Sequence, residues 1–435
     1  MSSRIRIAII GGGLAGAFMA NALKKISHLD VQVYESAPEF SERGLGIGLS
    51  RLALQALEEI VPNATDFLKK EAKAVAIGAS RIVMGSGPEA GTVVCDIEGD
   101  TGLATTRGPL LKALLSLLPK DILHAGKKLT SLKQTASGVD LTFGDCTTAH
   151  FDAVIGADGM HSTVRKYILQ GEAEEHLASP TGLWECRNLV PVEKAKAALG
   201  EESFEVDREY CWTGDGGFMM HALVENGTMV QCIVSATEED SPPDRRRKVT
   251  REMLENAFAR GWLDGPVARG MIELMLDQEE LIGYSIWDHK RTPTYSKGRV
   301  CIVGDAAHTV SPYQGAGGGL AIEDALVLGH LLGAISSIKV IDAAFKAFDV
   351  VRRPRCQAVV DSSRATGQLL TGQDSQIGIG AVDMGKALGP LFEHIDALDL
   401  ASHKQMALDE FGKQVDLAVS IIICTVNRTS TMIAS

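Results

Sequence analysis

Residues Ile5 to Glu35 leave this chain few folds to choose from. Ile5 to Ile10 is an unbroken apolar run, which reads as a buried strand. Gly11-Gly12-Gly13-Leu14-Ala15-Gly16 follows, with glycine at the first, third and sixth places. Leu14 to Ile26 has helical spacing, and Val31 to Tyr34 is a second strand ending at Glu35, nineteen residues after Gly16. Gly11 permits the tight turn, Gly13 the approach of a pyrophosphate, and Gly16 the close packing of helix on strand. Glu35 stands where a carboxylate accepts hydrogen bonds from an adenosine ribose. A glycine pattern alone is weak. Strand, turn, helix, strand and acid in that order specify a parallel βαβ unit that binds a dinucleotide.

A second glycine turn lies some three hundred residues later. Val300 to Val303 reads as a short buried strand, followed by Gly304 and Asp305, so a carboxylate sits at the strand's carboxyl end, where ligands of open α/β sheets collect. Gly315-Ala316-Gly317-Gly318-Gly319 then leads into a helical stretch, Leu320 to Leu332. Backbone N–H groups and the positive dipole end of such a helix suit a partly anionic ligand. Taken alone, the stretch also reads as a glycine loop with no ligand.

Between these ends, Phe40 to Ser50 is a third glycine-rich loop, with Arg43 and Arg51 flanking its core. Arg107 precedes a helix and reads equally as a phosphate or ribose contact and as a surface arginine. Val154 to Gly159 is a strand running into Gly-Ala-Asp-Gly; by itself, Asp158 could simply cap the next helix. Residues 176–290 change character. Gly217 to Val224 and Thr228 to Val234, joined through Asn226-Gly227, read as a β-hairpin. This region is expected to form a separate sheet roofing a pocket. Pro242-Pro243-Asp244 is expected to open a helix whose solvated face is Arg245-Arg246-Arg247-Lys248. Arg352-Arg353-Pro354-Arg355 reads as a helix terminus on the surface, and the remainder to Ser435 as helical.

The net charge of −12 argues against nucleic acid or an anionic membrane as a partner, so an anionic cofactor must be met by local groups. The eight cysteines include no Cys-x-x-Cys, and no metal-ligand spacing is present. The first strand begins by Ile5, which leaves no room for a signal peptide and points to the cytoplasm. The apolar run Leu417 to Val426 is too short to span a bilayer.

Three motifs together carry a resemblance: Gly-x-Gly-x-x-Gly with Glu35, Gly-Ala-Asp-Gly-x-x-Ser-x-Val-Arg at 156–165, and Gly-Asp-Ala-Ala-His at 304–308 ahead of Gln-Gly-Ala-Gly. The chain resembles the single-component FAD-dependent aromatic hydroxylases, the p-hydroxybenzoate hydroxylase superfamily, and within it the salicylate hydroxylase-like branch. The resemblance implies an α/β fold: a Rossmann-type FAD-binding domain interleaved with a β-sheet substrate domain, plus C-terminal helices. The expected division is an FAD-binding domain at 1–175 and 291–370, a substrate-binding sheet at 176–290 and a helical segment at 371–435.

It further implies FAD and NAD(P)H as cofactors, and a phenolic substrate hydroxylated with O2 through a flavin C4a-hydroperoxide. Alternatives are a dearomatising or epoxidising enzyme on a larger natural product and, from another class, a flavin-binding sensor without turnover. Gly11, Gly13, Gly16 and Glu35 are expected to hold the ADP half, and Asp305 the ribityl or pyrophosphate region. The N–H groups of Gly315, Ala316, Gly317 and Gly318 are expected to face the flavin pyrimidine. Arg43, Gly48 and Arg107 match positions that touch FAD, and Asp158 matches a motif associated with both FAD and NAD(P)H. Arg187 is the expected cation for a substrate phenolate, Tyr313 stands where some salicylate hydroxylases carry histidine, and His221 is a candidate base or pocket liner. The protein is expected to be a monomer or homodimer without stable membrane association.

Overall fold

The computed structural model describes residues 4–41, 46–204 and 208–433. At its centre is a six-stranded sheet in the spatial order Ser296–Lys297, Val300–Ile302, Ala153–Gly156, Ile5–Ile10, Leu29–Tyr34, Leu123–His124. All neighbours are parallel except the first pair. Ile7 and Ile9 are fully buried, as a strand covered on both faces requires. The helices Leu14–Leu23 and Gly317–Ala334 pack together on this sheet, closely enough at Gly329 that an added Cβ would lie 3.1 Å from the Ala22 side chain.

A nine-stranded sheet stands beside it. Its order is Arg246–Lys248, Ile282–His289, Ala178–Pro191, Met229–Thr237, Gly217–Val224, Arg208–Gly214, Val75–Met84, Val93–Thr106, Gly46–Ser50. Three of these strands come from before residue 175, so the sheet is built from both sides of that position. The hairpin turns at Asn226, which takes a left-handed φ of 58°, as this turn chemistry permits. One face of the sheet is apolar core: Trp184, Cys186, Tyr210, Trp212, Met219 and Val234 pack under helices Val192–Leu199 and Ala268–Leu276.

Two expectations are corrected here. Arg246–Lys248 is an edge strand paired to Ile282–Tyr284, and the helix begins only at Arg251, capped by Thr250 Oγ1 on Met253 N–H. Arg247 is therefore no solvated helix residue: it pairs with the buried Glu238 and lies over the Trp184 ring. Arg352 does not end a helix. It is fully buried within the helix Ile341–Leu370, which runs through Pro354. Helices Ala381–Asp396 and Leu400–Ile433 follow. No helix among the described residues is long and apolar enough to cross a membrane.

Candidate active site

The parallel strands end side by side, so Gly11, Glu35, Asp158 and Asp305 gather along one edge of the six-stranded sheet. Ala157 N–H donates to Ile10 O at 2.6 Å, and Gly11 N–H to Tyr34 O at 2.8 Å. Gly11 has φ +110°, and a Cβ there would lie 2.2 Å from Ala157 O; at Gly16 it would lie 1.9 Å from Gly11 O. The glycines thus answer to backbone contacts within the turn. The sequence ends also meet: a Cβ on Gly304 would fall 2.6 Å from that of Ala15.

Glu35 accepts from Gly12 N–H at 2.7 Å with one oxygen, and from Ala37 N–H at 2.7 Å and Ser36 Oγ at 3.0 Å with the other. This fixes the carboxylate beside the turn, with lone pairs left for a ribose hydroxyl. Asp158 behaves as a helix cap: it accepts from Ser162 Oγ at 2.5 Å and from the N–H groups of Thr163 and Val164 at 2.7 and 3.2 Å. Burial pushes its carboxyl upward against those bonds. Asp305 is exposed at the strand end. Arg43 lies outside the described residues. Gly48 pairs with Ala104, and Arg107 starts the helix that leaves the neighbouring strand.

These residues suit a long, partly anionic cofactor. The helices beginning after Gly13 and Ala316 have no side-chain caps, so their first N–H groups remain for a ligand. A Cβ at Gly48 or Gly315 would meet nothing within 4 Å, so open space lies in front of both. A Cβ on Gly318 would lie 2.8 Å from the Ile47 side chain, which brings the third glycine segment against the helix that begins with Gly317.

Sequence reading missed what holds the 304–308 turn in place. Arg165, 2% exposed, donates to the carbonyls of Ala306, Ala307 and His176 and to Thr292 Oγ1, at 2.8–3.3 Å. Asp324 accepts from Gly304 N–H at 2.9 Å and from His308 Nε2 at 2.6 Å, and its second oxygen accepts from Arg352 Nε at 2.9 Å. Arg352 also donates to Glu323 at 2.6 Å and Leu320 O at 3.3 Å, and Arg355 bonds Glu323 at 3.3 Å. Burial opposes the imidazolium, while Cys356 and the Asp324 carboxylate push His308 well above the usual imidazole range; with its Nε2 committed to Asp324, the ring braces the turn.

The other face of the nine-stranded sheet turns toward this crevice. Its register sets side chains in rows: Glu185, Ser235, Phe218 and Thr213; then Arg187, Ile233, Met220, Cys211 and Ile82; then Leu189, Gln231 and Ala222. Gln231 accepts from Gly46 N–H, so the third glycine segment rests on the platform. Tyr313 rests there too, its hydroxyl 2.7 Å from Ser235 Oγ and its ring edge-on to Phe218 at 5.9 Å. Ser235 gives its proton to Trp184 O at 2.9 Å, so Tyr313 must donate to Ser235. Burial pushes the Tyr313 phenol up, which keeps it protonated. Arg187 Nη2 lies 2.6 Å from Glu185 Oε1 as an ion pair, while its buried Nε has no partner.

His221 does not join the site. Strand alternation turns it to the core face, stacked on Tyr210 with ring centroids 5.2 Å apart. Its Nε2–H donates to Ser203 O at 2.8 Å, so Nδ1 is left to accept from Trp212 Nε1 at 3.4 Å. Burial lowers its pKa to about 4. Both nitrogens are used and no path to a substrate remains.

Residues 109–363 match the family model described as an FAD binding domain. The chain is 35% identical over 434 residues to the 6-methylsalicylate 1-monooxygenase atA of Aspergillus terreus, covering 95% of this chain and 94% of that one. It is 31% identical over 419 residues to a salicylate hydroxylase of Pseudomonas putida, covering 91% and 93%. A solved salicylate hydroxylase substrate complex superposes with a TM-score of 0.80 at 24% identity, covering 94% of this chain and 98% of that one, which speaks for the fold. With glycine turns from both ends of the sequence meeting over a common sheet edge, the chain belongs to the family of FAD-dependent aromatic monooxygenases of the salicylate hydroxylase type.

Proposed function

We propose that this protein hydroxylates a phenolic ring with NAD(P)H and O2, using FAD held between its two glycine turns. The observation that carries this is the platform: an arginine with an unpartnered buried Nε faces the crevice from which the uncapped helix starts. When bound, FAD supplies the hydride and oxygen chemistry; the protein supplies position, dryness and polarity.

Gly11, Gly13, Gly16 and Glu35 hold the ADP half in this reading, with Gly48 and Arg107 at the neck. Asp305 takes the ribityl or pyrophosphate region. The N–H groups from Gly315 through Ala316 and Gly317 to Gly318 face the ring, where a helix N-terminus stabilises negative charge. Arg187 Nε donates to the phenol oxygen and favours its anion. Tyr313 lines the pocket and keeps its proton, because its hydroxyl is committed to Ser235. Asp158 serves by capping, which fixes the turn beside Gly11. Residues 1–175 and 291–370 act as the cofactor unit, 176–290 as most of the substrate sheet, and 371–435 as a helical cover, in a cytoplasmic monomer or homodimer.

The test is direct. The purified protein should be yellow, with FAD released on denaturation, and a phenol should accelerate NAD(P)H consumption with matching product. Colourless protein that cannot be reconstituted with FAD would overturn the reading, as would NAD(P)H oxidation indifferent to every phenol offered.

A further inference from the structure

The helix Ala381–Asp396 carries an apolar stripe at helical spacing, Met384, Leu388 and Leu391, and the first two are fully buried. It is fastened at both ends. Ala381 N–H donates to Glu89 Oε2 at 2.9 Å, and Gly385 lies so near the strand Val93–Thr106 that an added Cβ would fall 2.8 Å from Val94 O. Toward its other end, Leu391 O accepts from Gln314 Nε2 at 3.0 Å, one residue before the turn at Gly315. The helix therefore reaches from the nine-stranded sheet to the cofactor turn.

Its stripe meets the platform. Met384 and Leu388 share one apolar cluster with Phe218, Tyr313, Met220 and Cys211. Met220 and Cys211 lie in the row that starts at Arg187 and runs through Ile233, one residue on each of four neighbouring strands. Three strand spacings of about 4.8 Å put roughly 14 Å between the two ends of that row. One end is a cation with an unpartnered Nε, and the residues that follow it are apolar. In the row alongside, Ser235 is spent on Trp184 O and Thr213 Oγ1 on Leu370 O. Burial pushes the Cys211 thiol up, so it stays uncharged. Yet Met220, Cys211 and, on the helix, Phe392 are only half-buried in this cluster, which leaves apolar surface uncovered between helix and sheet. Such surface is stabilised by an apolar occupant.

We infer that the helix Ala381–Asp396 is the far wall of the phenol pocket. With the phenol oxygen at Arg187, the space over Met220 and Cys211 seats an uncharged alkyl substituent on the opposite side of the ring, and Cys211 and Phe392 set its length. The inference rests on the phenol hydroxylase reading and adds the substituent class to it. An alkyl chain covers the exposed parts of these side chains. A charged substituent would lose its water there and find no partner.

The experiment uses FAD-loaded full-length protein and phenols bearing a para-alkyl chain from methyl to hexyl, with a carboxylate-ended chain as the charged member. Binding is read from the flavin absorbance change on titration, and turnover from NAD(P)H oxidation and product. In wild type each added CH2 should tighten binding about threefold until the wall is met. The carboxylate-ended member should bind about tenfold or more weaker than the alkyl chain of equal length. Phe392→Ala should move the preferred length to longer chains, and Cys211→Leu to shorter ones. Opposite shifts at FAD content equal to wild type are not a folding defect. A preferred length unmoved in either variant would overturn the inference, as would a wild type indifferent to chain length or terminal charge, with phenol-stimulated turnover intact in each case. The same shifts without turnover of any phenol would support the wall and overturn the hydroxylase reading alone.

Discussion

Arg352 and Arg187 are both largely removed from water and both face a carboxylate within 3 Å, yet they are finished differently. Arg352 has its Nε on Asp324, one terminal nitrogen on Glu323 and the other on Leu320 O. Arg187 has an ion pair with Glu185 and a buried Nε with no partner. The protein completes the first and leaves one nitrogen of the second without a partner. Hydrogen bonding, and not charge, separates these two arginines, although a buried nitrogen without a partner also occurs off the platform, at His308 Nδ1 under the turn and at Arg247 Nε.

The largest test of that distinction is Arg352→Met. It removes the guanidinium shared by two buried carboxylates, leaving Asp324 with His308 and Gly304 N–H and Glu323 with Arg355 alone, and so loosens the brace on Gly304 and His308; breaking such a pair costs about 3–5 kcal/mol. Urea unfolding of the FAD-loaded protein should record the loss, with flavin released earlier in the transition. A variant within about 1 kcal/mol of wild type would mean that the network is not what holds the turn.

His221 tests the closed class on the same sheet that carries the open one. Its folded pKa of about 4 lies below the unfolded value of roughly 6.5. Between those values the unfolded chain binds more protons, so the neutral imidazole's contribution is whole above pH 6.5 and is lost as pH falls toward 4, by at most about 3 kcal/mol. His289 and His403 are also depressed by burial and slope the same way. The informative quantity is therefore the difference between proteins. His221→Leu should be the less stable near pH 7, because Ser203 O loses its donor, and that gap should narrow as the pH is lowered. Turnover per bound FAD should hold, and a loss of turnover with intact flavin would return His221 to the site.

How far the sequence discloses these classes depends on what each demands locally. The cofactor turns are legible because backbone meets backbone at Gly11 and Gly16, where no side chain fits. The side of His221 is not legible: Gly217–Val224 is apolar on both faces, so alternation cannot say which face is core. The place of Arg352 is hidden by Pro354, which as a rule ends a helix. Here Val350, whose carbonyl the proline cannot satisfy, is 44% exposed, so water can serve it and the helix continues. The arginine run at 245–248 reads as solvated because nothing local announces Glu238 or the ring of Trp184. The unpartnered Nε of Arg187 exists only once strands far apart in sequence are in register.

Arg187→Met sharpens the comparison from the open side. Glu185 keeps some exposure, so the stability cost should stay near 1 kcal/mol or less. The substrate KM should rise about tenfold or more, or NAD(P)H oxidation should uncouple from product, because a charge-assisted bond to the phenol oxygen is lost. Equal kinetics at equal FAD content would remove Arg187 from the site.

Tyr313→Phe should have the smallest effect, and its smallness is the point. Tyr313 stands on the platform, yet its hydroxyl is closed by the protein, donating to a serine that is itself bonded to Trp184 O. Removing it should cost about 1 kcal/mol, since Ser235 keeps its acceptor and the ring still packs edge-on against Phe218. The phenol is pushed up by burial, so it carries its proton across the working pH range, and the pH profile of turnover should keep its shape in the variant. A profile that loses its alkaline or acid limb would show that Tyr313 exchanges a proton during the reaction. It would then belong with Arg187 among the groups left open for the substrate, and position on the platform, not spare bonding capacity, would be what marks a working residue here.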